Sequence, residues 1–116
     1  MKTIVYIIGY GVDMNLKQTY NLNEISKIVA PVAADFGIRK LSVFGSYARG
    51  DEAENSDIDF HIIDRGTLKG LIKLAAFELA LEDLLKKNVD VVTSGSLFDD
   101  VKLNIEREEF IVYEAQ

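Results

Sequence analysis

Two aspartates one residue apart, Asp57 and Asp59, follow a Gly45-Ser46 pair after ten intervening residues. The run Ile58 to Ile63 around them alternates apolar and polar residues as far as Ile62, which reads as a β-strand. Alternate side chains on a strand share a face. Asp57, Asp59 and His61 therefore lie together, and Ile58, Phe60 and Ile62 lie opposite. The apolar set seeks a core and the acidic set is left on an open face. Two carboxylates about 5–6 Å apart repel by roughly 3 kcal/mol at an effective dielectric of about 20. No basic residue stands between them. A divalent cation relieves this repulsion, and hard oxygen ligands suit magnesium. A two-metal phosphoryl-transfer site needs such a cluster to hold ions roughly 3.5–4 Å apart. Gly45-Ser46 supplies the complementary half: glycine lets a phosphate approach the backbone, and N–H groups at a helix start cradle it. A hairpin with surface aspartates is the plainer alternative. The combination of Gly-Ser, spacing and two flanking apolar strands argues against it.

The elements that must position these residues are legible in order. Lys2 to Ile8 reads as a short strand, broken by Gly9-Tyr10-Gly11, and residues 12–20 are polar and aperiodic, with Met14 a second possible start. Asn21 to Phe36 reads as a helix, with Asn21 and Glu24 forming a capping box. Leu22, Ile25, Ile28, Val29, Val32, Ala33 and Phe36 form its apolar stripe, Pro31 falls on the polar face, and Gly37 suits the left-handed terminus. Lys40–Phe44 is a strand leading into the Gly-Ser turn, and Ser56 is a candidate turn cap before the Ile58–Ile63 strand.

Thr67 to Lys87 is the longest expected helix. Leu68, Leu71, Ile72, Ala75, Ala76 and Leu79 are expected to face the core, and Leu74, Phe77, Leu81, Leu84 and Leu85 widen the stripe. A helix apolar nearly all round is covered on both sides. The second cover is either the C-terminal segment or a partner chain. Val89 to Val92 is a short strand in which Asp90 and Val92 share a face, so Asp90 joins the acidic face if this strand neighbours the first. Ser96 is expected to cap a helix running to Glu108, with Leu97, Val101 and Ile105 inward, and Phe110 to Tyr113 closes the chain as a strand. His61, the sole histidine, reads as half-exposed.

With 116 residues and 48% apolar content the chain suits one domain with a packed core. Thirteen basic against 19 acidic residues give a net charge of −6, which argues against unaided gripping of nucleic acid, so no direct nucleic-acid binding is expected. The absence of cysteine excludes disulfides and thiolate metal sites. Apolar runs are too short for a membrane span or a signal peptide, so no membrane role and a cytoplasmic location are expected.

The stretch Val43-Phe-Gly-Ser-Tyr-Ala-Arg-Gly50 through Ser56-Asp-Ile-Asp-Phe60 resembles the nucleotidyltransferase superfamily that includes DNA polymerase β. It is most similar to the minimal nucleotidyltransferases, over about Leu22 to Tyr113. The resemblance implies an α/β (α+β) fold: a small mixed β-sheet flanked by helices, the polymerase β-like core. The domain spans residues 21–116, and residues 1–20 are an N-terminal extension, either strand or arm. It implies that Asp57 and Asp59 hold two Mg²⁺ ions. Asp90, the third carboxylate, binds the ion that activates the attacking hydroxyl or takes its proton. Gly45 and Ser46 bind the terminal phosphates of ATP, and Arg49 contacts phosphate or a partner. Minimal nucleotidyltransferases pair with a small helical protein of the HEPN class, a ribonuclease toxin. Two functions follow: a magnesium-dependent enzyme transferring AMP from ATP to that partner, or a binding-only antitoxin that neutralises by occlusion. A homodimer or heteromer through the long helix is compatible with either.

Overall fold

The computed structural model describes residues 19–64, 70–96 and 99–116. The expected Lys2–Ile8 strand and the residues Met14, Thr67, Leu68 and Leu97 lie outside them. The described elements run α1 (Leu22–Asp35), β1 (Ile38–Phe44), α2 (Ser46–Arg49), β2 (Ile58–Asp64), α3 (Gly70–Leu85), β3 (Val89–Thr93), a 3-10 turn (Ser94–Ser96), α4 (Asp99–Glu108) and β4 (Phe110–Glu114).

Among the described residues the four strands form one sheet in the order β3-β2-β1-β4. β1 is antiparallel to both β2 and β4, while β2 and β3 run parallel, so the sheet is mixed. The parallel pair needs a crossover, which α3 provides. α1 begins with the expected capping box: Asn21 Oδ1 accepts the Glu24 N–H at 2.8 Å, and Glu24 Oε1 accepts the Asn21 N–H at 2.9 Å. Pro31 lies on the exposed face, where the lost N–H costs least. Gly37 takes φ 72° just past the helix, a left-handed conformation that disfavours any side chain.

The core lies on one face of the sheet. Ile25, Val29 and Ala33 of α1 and Phe77, Leu81 and Leu85 of α3 pack with Leu41, Val43, Ile58, Phe60, Ile62, Val91 and Val112 of the strands. Phe36 meets Phe77 edge to face at 5.2 Å, joining the two helices. Tyr20 donates to the Leu85 carbonyl at 2.6 Å, and Ser26 donates to the Val112 carbonyl at 2.7 Å. The first bond ties the end of α3 to the segment before α1, and the second ties the middle of β4 to α1.

The structure departs from the sequence reading in α3 and around α4. The inward face of α3 is not the Leu71–Ile72–Leu79 stripe, whose members are 82%, 86% and 64% exposed. It is Phe77, Leu81 and Leu85, with Leu74 partly covered. A helix with apolar residues on every side carries no periodicity signal choosing its inner face. The bulk of Phe77 against Phe36 decides it. Ser96 lies in the 3-10 turn rather than in a cap position, and the described residues of α4 run Asp99–Glu108. Ile105 is buried as expected, but Val101 is 42% exposed.

Candidate active site

The site grows from the end of β1. After Phe44 the chain enters Gly45 with φ 75° and ψ −149°, then turns into α2. Such a φ is costly for a residue with a Cβ. Space is a second constraint, since a Cβ at Gly45 would overlap Asp59 Oδ2. Phe44 pairs with Asp59 in the β1–β2 register, which brings that carboxylate under the turn. Tyr47 points inward from α2 into the core and anchors the turn from behind. Burial pushes its phenol up to about 12.

Asp59 of β2 and Asp90 of β3 are register partners across the parallel pair. Asp57 stands immediately before β2 and is exposed, as Asp90 is. The expected strand parity thus brings Asp59 and Asp90 side by side. Burial pushes the Asp59 carboxyl up, and the charges of Asp90 and Asp57 push it further. Arg49 opposes this, and Glu108 adds to it. Asp59 is therefore surrounded by more negative charge than the single guanidinium offsets. Among the described residues no three acidic or imidazole side chains converge into a ready-made metal cage. The carboxylates nevertheless fit a hard divalent cation, by oxygen chemistry and by the uncompensated charge around Asp59.

Arg49, at the end of α2, is held by acids. Its Nε donates to Asp51 Oδ2 at 3.2 Å, and its Nη1 lies 3.5 Å from Glu108 Oε2. Glu108 had no place among the candidates read from sequence. It closes α4, and its Oε1 accepts the Gly45 N–H at 3.0 Å. The acidic run Glu106-Arg107-Glu108-Glu109 has no spacing that singles it out.

His61 departs from its expectation. It is 1% exposed, not half-exposed. Its Nδ1 lies 2.9 Å from Glu109 Oε1 and its Nε2 lies 2.7 Å from Ser94 Oγ. An ionised carboxylate only accepts, so Nδ1 carries the proton shared with Glu109. Lys40 Nζ reaches the other oxygen, Glu109 Oε2, at 3.5 Å. Burial alone would push the Glu109 carboxyl up; the hydrogen bond from His61 and the Lys40 charge outweigh it and hold the group below its ordinary range. The second sheet face is thus open at the aspartates and closed over His61.

Comparison with known proteins agrees with this geometry. The nucleotidyltransferase domain family matches residues 25–113. A Methanocaldococcus jannaschii protein provisionally named a protein adenylyltransferase is 39% identical over 88 residues, covering 76% of this chain and 94% of its own length. The protein adenylyltransferase MntA of Thermococcus cleftensis is 40% identical over 78 residues, covering 67% of this chain and 76% of its own. A solved structure of a tri-AMPylated Shewanella oneidensis HEPN toxin in complex with an MNT antitoxin shares the fold, with a TM-score of 0.64, 16% identity, and 82% and 74% coverage. With a polymerase β-like mixed sheet and this match over most of its length, the chain belongs to the nucleotidyltransferase domain family, in its minimal form, and is a nucleotidyltransferase.

Proposed function

We propose that the chain transfers AMP from ATP to a hydroxyl of a partner protein, a small helical toxin of the HEPN class. The observation that carries this reading is the register of Asp59 with Asp90, set beneath a turn that has room only for glycine. Backbone amides at Gly45 and Ser46 take the terminal phosphates, and Arg49 adds a charge-assisted contact. Asp57, Asp59 and Asp90 hold two magnesium ions, which when bound supply charge neutralisation on the triphosphate and the leaving pyrophosphate. The partner's hydroxyl oxygen bonds to the α-phosphorus. The bond from that phosphorus to the α–β bridging oxygen breaks, and pyrophosphate leaves with the electron pair. Asp90, on the strand edge beside Asp59, takes the hydroxyl proton. The net charge of −6 disfavours a nucleic-acid acceptor. The relatives named as protein adenylyltransferases support a protein acceptor. The exposed Leu71, Ile72 and Leu79 of α3 offer that partner an apolar face.

Labelled ATP, MgCl₂ and the co-purified partner test the reading, with label on the partner as readout. Replacing Asp57, Asp59 or Asp90 by asparagine keeps size and removes charge. Each variant is expected to fold, to bind the partner, and to lose transfer by about 10²–10⁴-fold. If the wild type labels nothing while the variants still neutralise the partner in cells, the chain acts by occlusion and the transfer reading is wrong.

A further inference from the structure

The Gly45 amide and the Arg49 guanidinium, the groups assigned above to phosphate, are already engaged by one carboxylate. Glu108 Oε1 accepts from Gly45 N–H at 3.0 Å, and Oε2 lies 3.5 Å from Arg49 Nη1. We infer that Glu108 is a built-in stand-in for phosphate, and that the polyphosphate of a nucleoside triphosphate enters by displacing it. This inference rests on the phosphate role proposed for Gly45 and Arg49.

One N–H holds one strong acceptor, so a phosphate oxygen and Glu108 Oε1 exclude each other at Gly45. Both groups are anions, and their repulsion leaves no arrangement in which they share the amide. The two glutamates at this corner are built for different fates. Glu109 is 8% exposed and fastened by His61 at 2.9 Å and Lys40 at 3.5 Å, and its N–H bonds the Ile105 carbonyl at 2.9 Å. The Glu108 side chain is 33% exposed and, among the described residues, is held at its tip. The backbone at the corner is thus pinned, while the Glu108 side chain is free to rotate into solvent. When it leaves, it frees Arg49 Nη1 together with the Gly45 amide, so both groups become available at once.

A binding-competent state that is only fractionally populated lowers the apparent affinity by that fraction. Removing the stand-in must therefore tighten binding of anything that carries the polyphosphate. Calorimetry on the full chain with ATP, pyrophosphate and adenosine separates phosphate effects from base effects. Glu108→Ala is expected to bind ATP and pyrophosphate about tenfold more tightly, the scale of a lost charge-assisted hydrogen bond. Glu108→Gln, which keeps shape and loses charge, is expected to gain less. Adenosine binding is expected to be unchanged in both. Glu106→Gln, which removes a charge from the same helix, is expected to match the wild type. In the wild type the Gly45 amide resonance should move on adding pyrophosphate toward its position in pyrophosphate-bound Glu108→Ala. Unchanged or weaker ATP and pyrophosphate binding in both Glu108 variants overturns the displacement while leaving the nucleotide site intact. An equal gain in Glu106→Gln also overturns it, as a bulk charge effect. Absence of ATP and pyrophosphate binding from every protein overturns the nucleotide reading and this inference with it.

Discussion

Asp59 carries the tension of the site in a single side chain. Burial and the neighbouring Asp90 and Asp57 push its carboxyl up. A carboxyl raised in the folded state contributes stability below its unfolded value and loses it as pH rises through the folded value. At neutral pH, without metal, the ionised group therefore opposes folding. Asp59→Asn is expected to melt about 2–5 °C higher than the wild type at pH 7 in chelator. A lower melting point would show that the charge is compensated within the fold. What was legible at this scale was local. Asp57, Asp59 and Asp90 are tied to their strands by period-two parity, and Gly45-Ser46 by its place after an apolar strand. Glu108 was not legible, because its partner Gly45 lies 63 positions away in the chain. His61 was misread for a like reason: its partner Glu109 is 48 positions away. A lone polar residue in an apolar strand does not announce the carboxylate that lets it be buried.

Elements show a similar division. α1 announced itself fully, by cap, stripe and terminal glycine, since all three signals sit inside one segment. α3 announced its existence but not its orientation. β4 was read nearly to its boundaries, yet its junction with α4 does more than connect. There Glu109 is fastened to β2 through His61 and to β1 through Lys40. Its lowered carboxyl contributes stability above the ordinary glutamate value of 4.5, and that contribution is lost as pH falls through the depressed folded value. The groups facing it are His61, Lys40 and the buried Ser42. The wild-type melting point is expected to fall as pH drops below 4.5, and that of Glu109→Gln to start lower and respond less. Parallel pH profiles of the two proteins would show that Glu109 contributes no such linkage.

At the scale of the molecule the sheet has a dry face under two helices and a second face split between an acidic end and a closed polar one. No helix among the described residues is long and apolar enough to cross a membrane. The exposed apolar stripe of α3 is the face proposed above for the partner protein. Leu71, Ile72 and Leu79 are too exposed to support the core. Their joint replacement by serine is expected to leave the unfolding free energy of the lone chain within about 0.5 kcal/mol per site of wild type. Co-purification of the partner is expected to be lost. Retained co-purification would place the partner elsewhere. From sequence the second cover of this helix is either the C-terminal segment or a partner chain; Phe77, Leu81 and Leu85 go into the chain's own core, and Leu71, Ile72 and Leu79 stay exposed.

The overlap between a Cβ at position 45 and the carboxylate at 59 also bears on how such a protein can change over generations. Alanine at 45 forces the Asp59 carboxylate to turn from its place under the glycine, and a φ of 75° strains the new side chain besides. A lineage that has then also lost the aspartate regains no site by restoring either residue alone. Descendants that survive such a loss must keep whatever usefulness resides in their outer surface.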